Sequence, residues 1–168
     1  MSIVLFRIDD RLIHGQVVEG WLNYIDVDIL LLANDTVAND VMQRTLMEMA
    51  IPQEIEIFID SVNNIIKVYS KLDLKNKNIM ILVASPKDAY RLVDAGIYLP
   101  SINVGGIHFS SGKAQILEFI SVDENDCKYF HLLSDKGVKL DGRPLPSSEK
   151  IDILKDVCRY ESIKGSEK

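Results

Sequence analysis

The sequence predicts one α/β domain with a largely parallel central sheet, and three observations carry that expectation. The chain has 168 residues, enough to bury one core without staples and short for two domains. Short apolar runs rich in Ile, Val and Leu recur along it, and unbroken runs of that kind suit strands covered on both faces. Segments of helical period separate most of the runs, and strands alternating with helices imply parallel pairing.

The runs cover 3–8, 29–33, 55–59, 79–84, 102–104 and 115–120, each expected as a strand. The helical segments between them are Gln16 to Tyr24, Val37 to Met49, Val62 to Lys71 and Pro86 to Ala95. Ser85-Pro86 supplies an N-cap followed by proline at the first helical position, and Gly96 suits the left-handed stop beyond that helix. Ser121-Val122-Asp123-Glu124 fits a capping box in which Ser121 and Glu124 bond each other's backbone amides, and Gly137 would end the helix that follows. The remainder is expected to hold a short strand from Val138 to Leu140, a Gly142-Arg143-Pro144 turn and a last helix from about Ser148 to Tyr160. The domain is assigned to residues 1–163, with 164–168 as a disordered tail.

Composition excludes several function classes. Hydrophobic residues at 47% and charged residues at 26% suit a globular protein in water rather than a disordered or membrane-spanning chain. A formal net charge of -6 without a block of basic residues repels polyanions, so nucleic acid is not an expected partner. Cys127 and Cys158 are the only cysteines and lack metal-type spacing, so neither a disulfide framework nor a zinc site is expected. The start of the chain lacks the basic and apolar blocks of a secretory signal, and no apolar run approaches the roughly 18 residues of a membrane span. A cytoplasmic protein without a cofactor is expected.

In a parallel α/β sheet, chemistry collects at the carboxyl ends of strands. The densest polar cluster sits at such a place: Asp9, Asp10, Arg11, His14, Gly15 and Gln16 follow the first strand and precede a helical segment. A neutral imidazole is a competent nucleophile toward phosphorus near neutral pH, because its ordinary pKa is about 6.5. Asp9 or Asp10 could fix the ring, Arg11 and Arg7 could hold phosphoryl oxygens, and amides opening the helix could bond them. Gly15 leaves backbone bare where a phosphate must approach. A structural Asp–Arg pair beside a solvated histidine is the plain alternative.

The segment Arg7-Ile8-Asp9-Asp10-Arg11-Leu12-Ile13-His14-Gly15-Gln16-Val17 closely resembles the signature of the IIB components of the mannose/fructose/sorbose class of the phosphoenolpyruvate-dependent sugar phosphotransferase system. The resemblance continues through Trp21, Asn34-Asp35-Thr36-Val37-Ala38-Asn39-Asp40, Asn103-Val104-Gly105-Gly106 and Ser121-Val122-Asp123-Glu124. It implies a three-layer α/β/α sandwich with a mostly parallel sheet of about six or seven strands. It also implies a phosphotransferase in which His14 accepts a phosphoryl group from a phosphohistidine on IIA, holds it at Nδ1 and passes it to sugar. Asp9 and Arg11 would support the site, and the membrane components IIC and IID would carry the sugar and supply the only membrane association.

Other residues have competing roles. Asn34, Asp35 and Asn39 could line the same sheet edge or cap the helix near Val37; Ser85 and Lys87 sit at that edge too, with capping the simpler role for Ser85. Gly105 and Gly106 could admit a ligand or form a tight turn. His108 belongs to a surface loop that could meet a partner, His131 carries no catalytic expectation, and Trp21 has core spacing from Val17. A non-catalytic phosphate- or nucleotide-binding regulatory module is the second functional reading, weakened by the lack of a Gly-rich nucleotide fingerprint. A metal-dependent hydrolase built on Asp9, Asp10 and His14 is the third.

Overall fold

Seven strands form the central sheet of the computed structural model, which describes residues 2–71 and 76–166. In chain order the strands are β1 (Ser2–Asp9), β2 (Ile29–Ala33), β3 (Glu56–Asp60), β4 (Asn78–Val83), β5 (Ser101–Gly106), β6 (Ala114–Leu117), β7 (Ile120–Val122), β8 (Lys139–Gly142) and β9 (Ile151–Asp152). The sheet order is β3-β2-β4-β1-β5-β8-β9, with β6 and β7 paired apart as a hairpin. All neighbours in the main sheet run parallel except β8 and β9. The helices are α1 (Val41–Ala50), α2 (Val62–Lys71), α3 (Pro86–Asp94), α4 (Glu124–Asp135) and α5 (Ile153–Ser166), joined by a π-helical segment Gln16–Trp21 and a 3-10 turn Val37–Asn39.

Strand alternation divides the core into two layers. Phe6, Ile8, Leu31, Ile81 and Val104 pack with Ile65, Leu92, Phe130 and Val157 of α2 to α5 on one face. Leu5, Leu30, Leu32, Met80 and Leu82 pack with Val17, Trp21 and Val37 on the other. The expected three-layer sandwich is therefore the observed one. Each buried Leu, Ile or Phe contributes about 1.5–3 kcal/mol relative to exposure, which explains why β2 and β4 are written almost wholly in aliphatic residues. Among the described residues no helix is long and apolar enough to cross a membrane.

Several boundaries depart from the sequence expectations. Residues 115–120 do not make one strand of the main sheet. A turn at Glu118-Phe119 folds them into the β6–β7 hairpin, which joins the body through Ile107 N to Phe119 O at 3.0 Å and Ser121 N to Ile107 O at 2.8 Å. The segment 37–49 is interrupted because Asp40 accepts from Gln43 N at 2.9 Å and starts a fresh helix. The capping box before α4 is Asp123 with Asp126, two residues beyond Ser121 and Glu124; a carboxylate accepts an amide proton more strongly than a hydroxyl does. The stops held: Gly96 and Gly137 have φ of 91° and 81°. At the end, β9 precedes a helix that begins at Ile153 rather than near Ser148 and runs through Ser166. Residues 164–166 of the expected tail are thus helical, while 167 and 168 lie outside the described residues.

Cys127 is a buried residue of α4, and burial, reinforced by Glu161, pushes its thiol pKa up to about 12, whereas Cys158 is exposed. A thiol reagent at pH 8 should therefore titrate one thiol per folded chain and the second only after unfolding. Two fast thiols would show that α4 opens in the native state.

Candidate active site

Arg7 and Asp9, two residues apart on β1, share the face that turns toward the π-helical segment and Trp21, while Phe6 and Ile8 fill the opposite layer. Both charged side chains are fully buried. Asp9 is the hub: it accepts from Arg7 Nη2 at 2.7 Å, from Arg11 Nε and Nη2 at 3.1 Å each, and from Arg11 N at 3.2 Å. Two guanidinium groups on one carboxylate leave the cluster one positive charge in excess, which suits an anionic group.

Arg7 differs from its expected role. Its Nη1 donates to Asn103 Oδ1 and to Arg143 O at 3.1 Å, and its Nη2 also donates to Pro144 O at 3.1 Å. The guanidinium lies 5.5 Å from the centre of the Trp21 ring, and Arg143 lies over the same ring at 5.6 Å. Burial pulls the Arg7 pKa below its ordinary value, and contact with Asp9 opposes that pull. An arginine so enclosed holds Asp9 in place and shows no edge to solvent. Gly105 likewise does not open the backbone to a ligand: a Cβ there would lie 1.8 Å from Arg7 Cζ. The glycine is the seat of the buried guanidinium. A Cβ on Gly106 would stand 3.3 Å from Arg11 Nη2, so Gly106 gives Arg11 its room.

His14 stands beside this hub with its side chain 17% exposed. Its Nδ1 lies 2.8 Å from Leu12 O. A carbonyl only accepts, so Nδ1 carries a proton in this arrangement. Its Nε2 is buried without a hydrogen-bond partner, 3.6 Å from Asp9 Oδ2. That distance is too long for a hydrogen bond. Neither nitrogen thus offers a lone pair to solvent as packed, and attack requires the ring to tilt off Leu12 O, which costs about 0.5–1.5 kcal/mol for one neutral hydrogen bond. Leu12 itself has φ 57° with its side chain buried, a tight reversal that swings residues 13 to 15 back over Asp9.

The other loop residues divide. Arg11 keeps a third of its side chain exposed, and Gln16 Oε1 accepts from its Nη2 at 2.7 Å, holding a free edge of the cation toward the mouth. Gly15 leaves the surface beside His14 bare. The following amides of Val17 and Val18 already bond His14 O at 2.9 and 3.0 Å, so the short π-helical segment is not the open row of donors expected. Asp10 turns away from His14 and accepts from His108 N at 2.7 Å, with His108 Nδ1 2.6 Å from its other oxygen. Asp10 therefore fastens the loop after β5 to the loop after β1. Asp10→Ala should speed amide exchange at His108 roughly tenfold, the loss of one charge-assisted bond; unchanged exchange would mean the loop is held elsewhere.

Asn34, Asp35, Ser85 and Lys87 are not drawn into this hub. Asn34 caps Thr36 N and Val37 N at 3.0 and 2.9 Å. Asp35 accepts from Arg91 and from Val62 N, contacts that hold its carboxyl below the ordinary range and tie α2 to α3. Ser85 caps Asp88 N at 3.1 Å, and Lys87 is exposed on the first turn of α3, close enough to Asp35 to add to its lowering. Asn39 donates to Asp35 O at 2.8 Å. Capping satisfies these residues because four amides at each helix start need acceptors.

A cleft of about 460 Å³ opens beside Arg11 and Gln16, walled by His108, Phe109, Phe119 and Ser121. A cleft of about 540 Å³ at the edge of the sheet includes Ser101 and Lys139, the residues that begin β5 and β8, so it does not adjoin the hub. Residues whose part sequence reasoning missed are Asn103, which bonds Arg7 and the carbonyls of Asp141 and Arg143, and Trp21, whose Nε1 donates to Pro144 O at 3.1 Å. Only the polar Asn103 inside an apolar strand could have signalled such a role.

Residues 3–168 match the family described as PTS system sorbose subfamily IIB component. The fructose-specific EIIB component of Bacillus subtilis is 38% identical over 95% of this chain and 99% of its own length. The mannose-specific EIIAB component of Escherichia coli is 36% identical over 92% of this chain, which spans only 48% of that longer protein. The IIBSor domain of the sorbose permease from Klebsiella pneumoniae superposes with a TM-score of 0.89 at 33% identity, covering 95% of this chain and 98% of that one.

Proposed function

Because this chain belongs to the sorbose-subfamily IIB components of the phosphotransferase system, we propose that it carries a phosphoryl group on His14 between an IIA partner and a sugar. The observation that carries this reading is the imidazole set against the Asp9–Arg11 pair at the carboxyl end of β1. The second reading, a non-catalytic regulatory module, is not favoured.

Transfer begins with the His14 ring tilting off Leu12 O. The proton leaves Nδ1, and Nε2 takes one where the Asp9 carboxylate lies near. The freed Nδ1 lone pair attacks the phosphorus of the IIA phosphohistidine; the new N–P bond forms as the old one breaks, and the departing imidazole recovers a proton. The exposed edge of Arg11 neutralises the phosphoryl oxygens in flight, and Arg7, through Asp9, keeps Arg11 aimed. The same N–P bond then breaks in favour of a sugar hydroxyl presented by IIC and IID. The EIIAB relative, in which IIA and IIB share one chain, supports the IIA partnership.

Incubation with phosphoenolpyruvate, the general phosphotransferase proteins and IIA should place acid-labile, base-stable phosphate on the peptide containing His14, with nitrogen chemical shifts reporting the Nδ1 isomer. Arg11→Ala should keep the fold and slow single-turnover uptake roughly 10- to 1,000-fold. Absence of label sinks the function, and unchanged rates remove Arg11 from it.

A further inference from the structure

On the opposite face of the sheet from Trp21, α4 and α5 bring three different donor side chains together. The imidazole of His131, the thiol of Cys158 and the carboxylate of Glu161 have donor atoms all within 4.8 Å of one another. We propose that they form a site for one thiophilic divalent cation of the zinc class, with water completing four ligands.

The donor set selects the ion. Nitrogen, sulfur and one carboxylate oxygen are the zinc ligands, whereas magnesium and calcium take oxygen alone. The geometry is close to what binding needs. Cys158 and Glu161 lie three residues apart on α5 and so share a face, and His131 Nε2 already stands 2.8 Å from Glu161 Oε2. Donor atoms around a tetrahedral zinc are about 3.5 Å apart given metal–ligand distances of 2.0–2.3 Å, so side-chain rotation suffices. His131 and Glu161 keep 40% and 43% of their side chains exposed, which gives that rotation its freedom and the ion its entry. On binding, the Cys158 thiol releases its proton to solvent, the neutral His131 ring moves its proton to Nδ1, and metal–sulfur and metal–nitrogen bonds form.

The place explains the use. The buried residues of α5 are Ile153 and Val157, and from Cys158 onward the helix is held by the half-buried Tyr160 and by Lys164, whose Nζ donates to Glu124 of α4 at 2.6 Å. A cation held by Cys158, Glu161 and His131 would clasp that half of α5 to α4 more firmly than these contacts alone. The competing reading is an ordinary exposed His131–Glu161 ion pair, in which Cys158 plays no part.

Cobalt(II) alone, added to the reduced protein, discriminates them. One equivalent should produce the intense visible bands of tetrahedral cobalt and a thiolate-to-metal charge-transfer band in the near ultraviolet, both erased by zinc. Cys158→Ser should lose the charge-transfer band and weaken binding at least tenfold, and Glu161→Gln should weaken it, while Cys127→Ser keeps the spectrum. Zinc should raise the Tm of the wild type and not of Cys158→Ser, and magnesium should do neither. No bands, bands unchanged in Cys158→Ser, or an equal response to magnesium would overturn the site. All three ligands are away from the His14 loop, so phosphoryl uptake by Cys158→Ser should match the wild type.

Discussion

His14→Ala is expected to take up no phosphoryl group from IIA under conditions that fully label the wild type, while its unfolding free energy changes by about 1 kcal/mol. The two halves have separate causes. Labelling fails because the substitution removes the atom that would bond phosphorus, and the nearby carboxylates are engaged elsewhere, Asp9 buried between two arginines and Asp10 bonded to His108. Stability changes little because the ring contributes one hydrogen bond, to Leu12 O, worth about 0.5–1.5 kcal/mol, whereas Asp9 retains both arginines. His108 is the control: its side chain is 58% exposed and stands on Asp10 at the mouth of the same cleft. His108→Ala should still be labelled. Label on His14→Ala at more than a few per cent of the wild type would mean that another group accepts the phosphate.

Gly105→Ala should have the largest effect on stability of any single methyl group added to the site. Its Cβ would stand 1.8 Å from Cζ, 1.9 Å from Nη2 and 2.2 Å from Nη1 of Arg7, so backbone and guanidinium cannot both stay. Displacing Arg7 strips Asp9, Asn103 and two carbonyls of a shared donor and leaves buried groups unpaired. Breaking such a buried pair costs about 3–5 kcal/mol, to be read as a lowered urea midpoint. Phosphoryl transfer should fall with it, because Arg11 is aimed by the same carboxylate. A cycle with Arg7→Ala makes the cause visible: once Arg7 is gone, Gly105→Ala should cost little more, so the pair should be far less than additive. Additive losses would show that Gly105 serves something other than Arg7.

The two predictions mark where local sequence stops being informative. The aliphatic runs of β2 and β4 announced strands covered on both faces, and Ser85-Pro86 and Gly96 bounded α3 correctly, because period and capping act within a few residues. The polar cluster between Asp9 and Gln16 likewise pointed to a site, because a strand's carboxyl end and the chemistry of imidazole are legible locally. The division of labour within that site was not. Arg7 and Arg11 look alike in sequence, yet one is walled in by Gly105, Asn103 and Trp21 and the other is left a third exposed. The hairpin at 114–122 escaped for a related reason: its apolar run satisfies Ile107 and not the main sheet.

By itself, then, the sequence determined the α/β class, most strand positions, and a histidine among aspartates and arginines after β1. Only the tertiary structure decided that Asp9 faces His14 while Asp10 holds His108, that Gly105 exists for Arg7, and that His131 meets Cys158 and Glu161. The physical reason is distance along the chain. Arg7 and Asn103 are separated by 96 residues and Asp10 and His108 by 98, so their contacts arise from β1 lying beside β5, an adjacency that no local pattern encodes.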